Sequence, residues 1–346
     1  GAKAQFYVPN SVQHHTSSTM ILGGDLGGTK TLLALAEQDA AGGIRIVRQQ
    51  RFASADYPTF EQMLDEFLAD RPSIAAACFG VAGPTDGRNA KLTYLPWSLA
   101  ASELGHRFAI PRVTLANDFA AAAHGLPLVE PARIVTLHAG QPVERAPRVI
   151  LGAGTGLGVA GLVWQGKGYQ VIAGEGGHIG FAPQTSQQGE LWRWLLERNG
   201  RVTTEDIVSG PGLARIHAFL GGRPRPEGNG ALGSSPLGGA QPEEIGSAAL
   251  AGNDPLASDA LRLWLECYGA FAGDPAVHWL ARGGGYLAGG IAAKLLPGTD
   301  AGPFIEAFLA KREHRSLVQD MPVRLVTDEN LGLRGTLALA SERDIA

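Results

Sequence analysis

Residues Ile21–Leu35 read ILGGDLGGTKTLLAL, and Val149–Val163 read VILGAGTGLGVAGLV. Each is an apolar run, a turn built almost wholly of Gly, Asp and Thr, and a second apolar run, the pattern of a tight β-hairpin. A turn of this composition gathers backbone N–H groups into a concavity that suits anionic oxygens. Glycine there permits unusual φ angles and a close approach of phosphate to the main chain. In GDLGGTK, Thr29 adds a hydroxyl and Lys30 a positive charge. Asp25 repels a bare phosphate but suits a hydrated Mg2+ riding on one. The second turn, GAGTG at Gly152–Gly156, repeats the cradle without the acid and gives Gly154 and Thr155 the same expected role. Neither turn has the P-loop spacing of Gly, four residues, then Gly-Lys-Ser/Thr.

Working outward, each hairpin opens an α/β half. After the first, Phe60, Met63, Leu64, Phe67 and Leu68 recur at helical spacing, with Pro58 near the helix start. SIAAACFGVAGP (Ser73–Pro84) reads as a buried strand, and RVTLANDF (Arg112–Phe119) as a strand that ends on Asn117 and Asp118. The pattern then restarts. GEGGHIGFAP (Gly174–Pro183) leads to helices near 189–199 and 255–281, then to a strand at GYLAGGI (Gly285–Ile291). A helix from about Pro303 to Lys311, a strand PVRLVTD (Pro322–Asp328) and a closing helix over Leu331–Ser341 complete the chain. Alternation of this kind predicts a parallel α/β core built twice. GGRPRPEGNGALGSSPLGGAQ (Gly221–Gln241) has no periodicity and reads as a loop.

Composition narrows the function. The chain has 346 residues, enough for two domains, and 48 glycines, well above the average usage of ~7 %. No collagen-like period explains them, and they are expected at strand ends and turns. A net charge of −4 with no basic stripe argues against a nucleic-acid partner. No apolar run approaches the ~18 residues of a membrane helix. Residues 1–19 lack the apolar core of a secretory signal and are expected to be a short leader or remnant. Cys78 and Cys267 lie in apolar surroundings without metal-ligand spacing, as reduced core thiols of a cytoplasmic protein would.

Besides the two glycine turns, two constellations carry chemistry. Asp118 sits where an apolar strand ends, the usual place for functional groups in open α/β sheets. It suits a general base acting on a substrate hydroxyl that Asn117 orients. Glu175 and His178, three residues apart among glycines, can bracket vicinal hydroxyls, one accepting and the other donating. Metal ligation is the competing use of that pair, but no cysteine cluster lies nearby to complete a site.

Taken together, GGDLGGTKTLLAL, LANDF, GAGTGLGVA, GEGGHIGFAP, TTEDIVSGPGL and GYLAGGI occur in an order that resembles the bacterial glucokinases of the hexokinase-like type. The resemblance runs from about Ile21 to Ala340. It implies the two-domain actin/hexokinase/ribonuclease-H-like ATPase fold, with a cleft between a small domain (20–128, joined by the helix of about 331–346) and a large one (129–330). It implies ATP-dependent phosphorylation of glucose at the 6-hydroxyl, with ATP and Mg2+, in a cytoplasmic homodimer. Carried over residue by residue, Asp118 resembles the catalytic base, and Asn117, Gly156, Glu175, His178 and Glu205 resemble the glucose contacts. Gly24, Asp25, Leu26, Gly27, Gly28 and Thr29 match the first phosphate segment. Gly154 and Thr155 match the second, and Gly289 and Gly290 the segment beside the adenosine. The metal has no direct protein ligand on this reading and meets Asp25 through water.

Three positions depart from the family pattern. Tyr94 stands where relatives often carry Asn before the PW loop, Pro275 interrupts a segment that relatives keep helical, and the 221–241 loop replaces something more ordered. A kinase for another hexose, such as mannose or an N-acetylhexosamine, a sugar-sensing relative without catalysis, and a filament-forming actin relative are the rival readings. The absence of a cysteine-rich motif after the Gly-His segment disfavours the zinc-containing kinases and repressors that share the fold.

Overall fold

A computed structural model describes residues 18–222 and 240–341. Residues 1–17 of the expected 1–19 leader and most of the 221–241 loop lie outside the described residues, and Thr19 already belongs to the first strand. The chain divides into two compact units, one running up to Ala116 and resuming at Thr336, the other spanning Asn117–Gly335.

The first unit is a five-stranded sheet in the order β3-β2-β1-β4-β7, with helices. Its elements are β1 (Thr19–Leu26), β2 (Lys30–Gln38), β3 (Ile44–Ala53), α1 (Phe60–Phe67), β4 (Ala76–Val81), the short pair β5 (Asn89–Lys91) and β6 (Ser98–Ala100), α2 (Ala101–Phe108) and β7 (Arg112–Asn117). β1 and β2 form the expected antiparallel hairpin, and β4 lies parallel to β1. Every residue of β4 is buried, as a strand covered on both faces requires. β3 is one edge, and Arg45, Arg48 and Arg51 along it discourage pairing with another chain. Thr59 caps α1 by accepting the Gln62 N–H, and Phe60, Met63, Leu64 and Phe67 fill the core against Leu22, Leu33 and Phe79.

The second unit holds a six-stranded sheet, β11-β10-β9-β12-β13-β8. Its strands are β8 (Ile134–His138), β9 (Arg148–Ala153), β10 (Leu157–Gln165), β11 (Gly168–Gly174), β12 (Gly284–Ala288) and β13 (Val323–Val326). β9, β10 and β11 form an antiparallel meander, and β12 runs parallel to both β9 and β13. The helices are α3 (Asp118–Gly125), α4 (Ser186–Asn199), α5 (Gly210–Leu220), α6 (Pro242–Ala251), α7 (Pro255–Trp279), α8 (Gly290–Leu295), α9 (Gly302–Leu309), α10 (Arg315–Gln319) and α11 (Leu331–Ser341), whose last turns belong to the first unit. Trp264, Tyr268, Phe304 and Phe308 anchor the core between α7 and α9.

Two expectations need correction. α7 continues past Pro275 to Trp279, where the sequence suggested an interruption. An internal proline costs a helix ~3 kcal/mol, so neighbours must hold the segment. Gly269 and Gly273 let the α9 backbone approach so closely that added Cβ atoms would lie 2.0 Å from the Phe304 carbonyl oxygen and 2.7 Å from that of Phe308. Lys311 also donates to the Ala270 carbonyl at 2.7 Å and pairs with Asp274 at 2.6 Å, clamping the turn before the proline. The second correction concerns the glycines, several of which lie inside strands rather than in turns. A Cβ on Gly24, within β1, would meet Phe79 at 2.7 Å and Leu33 at 2.9 Å, so its absence lets the core close.

α11 seats α3 in the same way. A Cβ on Gly335 would fall 1.5 Å from the Ala121 carbonyl oxygen, and one on Gly125 2.3 Å from that of Leu331. Gly335→Ala must therefore separate two helix backbones. A loss of about 3 kcal/mol is expected in urea unfolding, the upper part of the usual overpacking range. A midpoint equal to the parent's would show that these helices do not touch.

Candidate active site

The site is built from the start of α3, the β9–β10 turn and two loops that lean on it. Asn117 is the last residue of β7 and the N-cap of α3, its side-chain oxygen accepting the N–H groups of Phe119 at 3.1 Å and Ala120 at 3.2 Å. Asp118, the first helical residue, accepts the same Phe119 N–H at 2.8 Å. Its carboxyl is half-buried. Burial pushes its pKa above the ordinary aspartate value, the Phe119 N–H opposes that, and the charge of Glu175 adds to the rise.

Glu175 pairs with Val159 in an isolated bridge beyond β11. A single 3-10 turn, Gly176–His178, follows it and presses against β10. The turn fits only because it lacks side chains: a Cβ on Gly177 would sit 2.1 Å from the Leu157 carbonyl oxygen, and one on Gly176 2.8 Å from Val159. His178 closes the turn by donating its N–H to the Glu175 carbonyl at 3.0 Å. Glu205 arrives from the TTEDIVSGPGL segment, its N–H on the Gly177 carbonyl at 2.9 Å. One of its carboxylate oxygens accepts the Leu157 N–H at 2.8 Å, and the other lies 3.7 Å from His178 Nε2. The second distance is too long for a hydrogen bond, so the pair is electrostatic. Both side chains remain open to solvent, His178 at 61 % and Glu205 at 31 %. Gly156 is what admits Glu205, because a Cβ there would fall 2.7 Å from the carboxylate.

The segment around Glu205 is tied down on every side. Thr204 donates its N–H at 2.8 Å and its hydroxyl at 3.1 Å to the Ile179 carbonyl, and Ser209 donates its hydroxyl to the Glu205 carbonyl at 2.7 Å. Arg215, buried on α5, donates to the Asp206 carbonyl at 2.8 Å. Burial lowers its guanidinium pKa, while Asp206 and Glu205 hold the charge in place. Sequence reading missed Arg215, since a lone arginine in LARIHAFL carries no motif.

The two glycine turns differ in build. In the first, Gly27 donates its N–H to the Lys30 carbonyl at 3.0 Å. Ser54 braces the turn by donating its hydroxyl to the Gly27 carbonyl at 2.7 Å and its N–H to that of Thr29 at 3.0 Å. Gly24 and fully buried Leu26 belong to β1 and its packing, with half-buried Asp25 between them. Gly28 leaves room for Tyr94, whose Cβ lies 2.8 Å from where a glycine Cβ would be. In the second turn, Gly154 accepts the Gly210 N–H at 2.8 Å, and Gly289, at φ +90°, packs its backbone on Ala153. Gly154, Thr155, Gly289 and Gly290 therefore gather at the C-terminal ends of β9 and β12. A Cβ added at Gly154 or Gly290 would meet nothing within 4 Å.

Among the described residues no group of three His, Cys, Asp or Glu side chains could hold a metal ion, and both cysteines are buried thiols outside any disulfide. No helix among them is long and apolar enough to cross a membrane.

Two α/β units of this build are the architecture of the sugar kinases of the actin/hexokinase-like fold. The glucokinase from an Antarctic psychrotroph superposes with a TM-score of 0.78 at 30 % identity, covering 93 % of this chain and 98 % of that one. A ROK family glucokinase from Streptomyces griseus, solved with glucose and AMPPNP, shares the fold at a TM-score of 0.57 and 21 % identity, covering 93 % and 99 %. The family model Glucokinase matches residues 22–343. The glucokinase of Nostoc sp. strain PCC 7120 is 38 % identical over 339 residues, 93 % of this chain and 99 % of that protein. This chain belongs to the glucokinase family.

Gly156→Ala is expected to push Glu205 off the Leu157 N–H while leaving the rest of the turn folded. Glucose KM should rise about tenfold, the cost of roughly one misplaced hydrogen-bonding group. Steady-state kinetics with a thermal melt check this, and an unchanged KM would contradict the Glu205 assignment.

Proposed function

We propose that the chain transfers the γ-phosphoryl group of ATP to the 6-hydroxyl of glucose, with Asp118 as the base. One observation carries this reading: a half-buried carboxyl within electrostatic reach of Glu175, which shares one backbone turn with His178, while Glu205 hydrogen-bonds to that turn from a separate segment. Glu175, His178 and Glu205 would grip neighbouring ring hydroxyls, leaving the primary hydroxyl for Asp118. Asn117 would orient that hydroxyl from the helix cap. As the sugar oxygen bonds to the γ-phosphorus, its proton passes to the Asp118 carboxylate and the bond to the ADP oxygen breaks. Phosphoryl transfer needs chiefly such positioning and stabilised charge.

On the nucleotide side, Thr155 offers its N–H and hydroxyl to phosphate in the second unit beside Gly154, whose own N–H closes the turn on the Gly156 carbonyl at 2.9 Å, with Gly289 and Gly290 beside the adenosine. Gly24–Thr29 is the proposed phosphate segment of the first unit. Mg2+ fits this residue set without a protein cage, because it keeps most of its waters and needs only a carboxylate or two besides the phosphates. Asp25 is the carboxylate we assign, through water. The ion would neutralise charge on the phosphates. A homodimer is supported by the resemblance and is read by light scattering. The cytoplasm, where thiols stay reduced, suits Cys78 and Cys267, both buried and outside any disulfide.

Asp118→Asn keeps the shape and removes the base. Its kcat should fall ~10²–10⁴-fold with glucose binding retained, and near-parental turnover in a coupled assay would refute the base. The base must be ionised, and a raised pKa means it gains its proton at a higher pH than an ordinary aspartate. The acid limb of the parent's rate profile should therefore lie above the usual aspartate range. The same sign predicts stability: ionised Asp118 opposes folding as pH rises through its pKa, so Asp118→Asn should melt no lower than the parent at neutral pH.

His178→Ala should chiefly raise glucose KM, since hydroxyl binding is shared by ground and transition states. An unchanged KM would remove His178 from the sugar site.

A further inference from the structure

We propose that Phe119 is a positioning residue whose ring, seated in a slot left by Gly152 and Gly158, sets the direction of the Asp118 carboxylate. The inference rests on the reading of Asp118 as the base and adds the part that aims it. Gly152 and Gly158 are directly opposed across the β9–β10 ladder. Glycine weakens a strand interior and often marks close approach of another group, so two opposed glycines call for an occupant. The occupant is the Phe119 ring. A Cβ on Gly152 would lie 2.4 Å from it, and one on Gly158 2.2 Å.

Phe119 also has one backbone N–H that serves two acceptors, Asn117 at 3.1 Å and Asp118 at 2.8 Å. Turning that peptide would loosen the helix cap and the carboxylate together. The slot lies on the hairpin whose turn carries Gly154 and Gly156 and whose Leu157 N–H holds Glu205. A single aromatic contact thus keys the base to the strand pair that positions the sugar-side acid. An ordinary core phenylalanine would need no glycine pair opposite it.

The test compares Phe119→Ala, Phe119→Leu and Asp118→Asn for kcat, glucose KM and the acid limb of the rate profile. Misaiming a catalytic group by about an ångström costs on the order of a hundredfold. Phe119→Ala should therefore lose at least about tenfold in kcat with glucose KM changed less than about threefold. Glu175 is the charge acting on Asp118 and stays in place, so water reaching the carboxyl should move the acid limb to lower pH. A smaller fraction of folded enzyme would scale kcat without moving that limb. Adding Gly158→Ala should cost about tenfold in the parent but less than about twofold in Phe119→Ala, where the slot is vacant.

Parental kcat, or a loss of kcat with an unmoved acid limb, overturns the positioning role. If Asp118→Asn turns over normally, the base reading itself fails. If Asp118→Asn is inactive and Phe119→Ala behaves as parent, only the Phe119 inference fails. Should Phe119→Ala not fold, Phe119→Leu is expected to show the same shift of the limb with a smaller loss.

Discussion

A carboxylate can reach the β9–β10 turn only where that turn has no side chains of its own. Glu205 meets the Leu157 N–H because Gly156 has no Cβ, and the Gly176–His178 turn rests on β10 because two glycines let it. Phe119 enters the same hairpin through Gly152 and Gly158. The polar residues come from three separate segments of the chain, and the missing Cβ atoms are what allow them to converge. Each such glycine weakens a strand or turn locally, and the packing it admits offsets the loss.

The second theme is the state of Asp118. A helix N-terminus favours a negative charge, and the Phe119 N–H bonded to the carboxylate acts in that direction. Burial and Glu175 act against it and prevail. A base with a raised proton affinity takes a hydroxyl proton more readily, yet must still be ionised when substrate arrives. Stability is the natural cost of such an arrangement, because a half-buried ionised acid is less favourable than its neutral isostere. Arg215 is the buried cation of the site, its own pKa lowered by burial and its charge held in place by Asp206 and Glu205.

Much of this was legible in the chain. Both hairpins, the strand that ends on Asn117, the helix carrying Phe60, Met63, Leu64 and Phe67, and the closing helix stand where periodicity and punctuation suggest. The closeness of Glu175 to His178 follows from their spacing in GEGGH. The convergence of Glu205 on that pair came only through resemblance, since nothing local in TTEDIVSGPGL points to Gly177 or Leu157. The purpose of individual glycines was not legible either. A run such as GAGTGLG looks uniform, and only tertiary contact separates Gly154, where a Cβ would meet nothing, from Gly158, where one would meet a ring. Pro275 misled because local propensity favours a break, whereas Gly269, Gly273 and Lys311 bind the helix to α9 around it. Arg215 had no signal at all, as its role depends on burial under the Glu205–Asp206 turn.

The central claim is that the acid at the start of α3 takes the proton from the sugar's primary hydroxyl. A crystal structure of the enzyme with glucose bound tests it most directly, by the distance from the Asp118 carboxylate to the 6-oxygen. The account predicts a hydrogen bond of about 2.6–3.2 Å, with the ring hydroxyls on Glu175, His178 and Glu205. A carboxylate turned away from that oxygen, beyond the reach of even one bridging water, would contradict it.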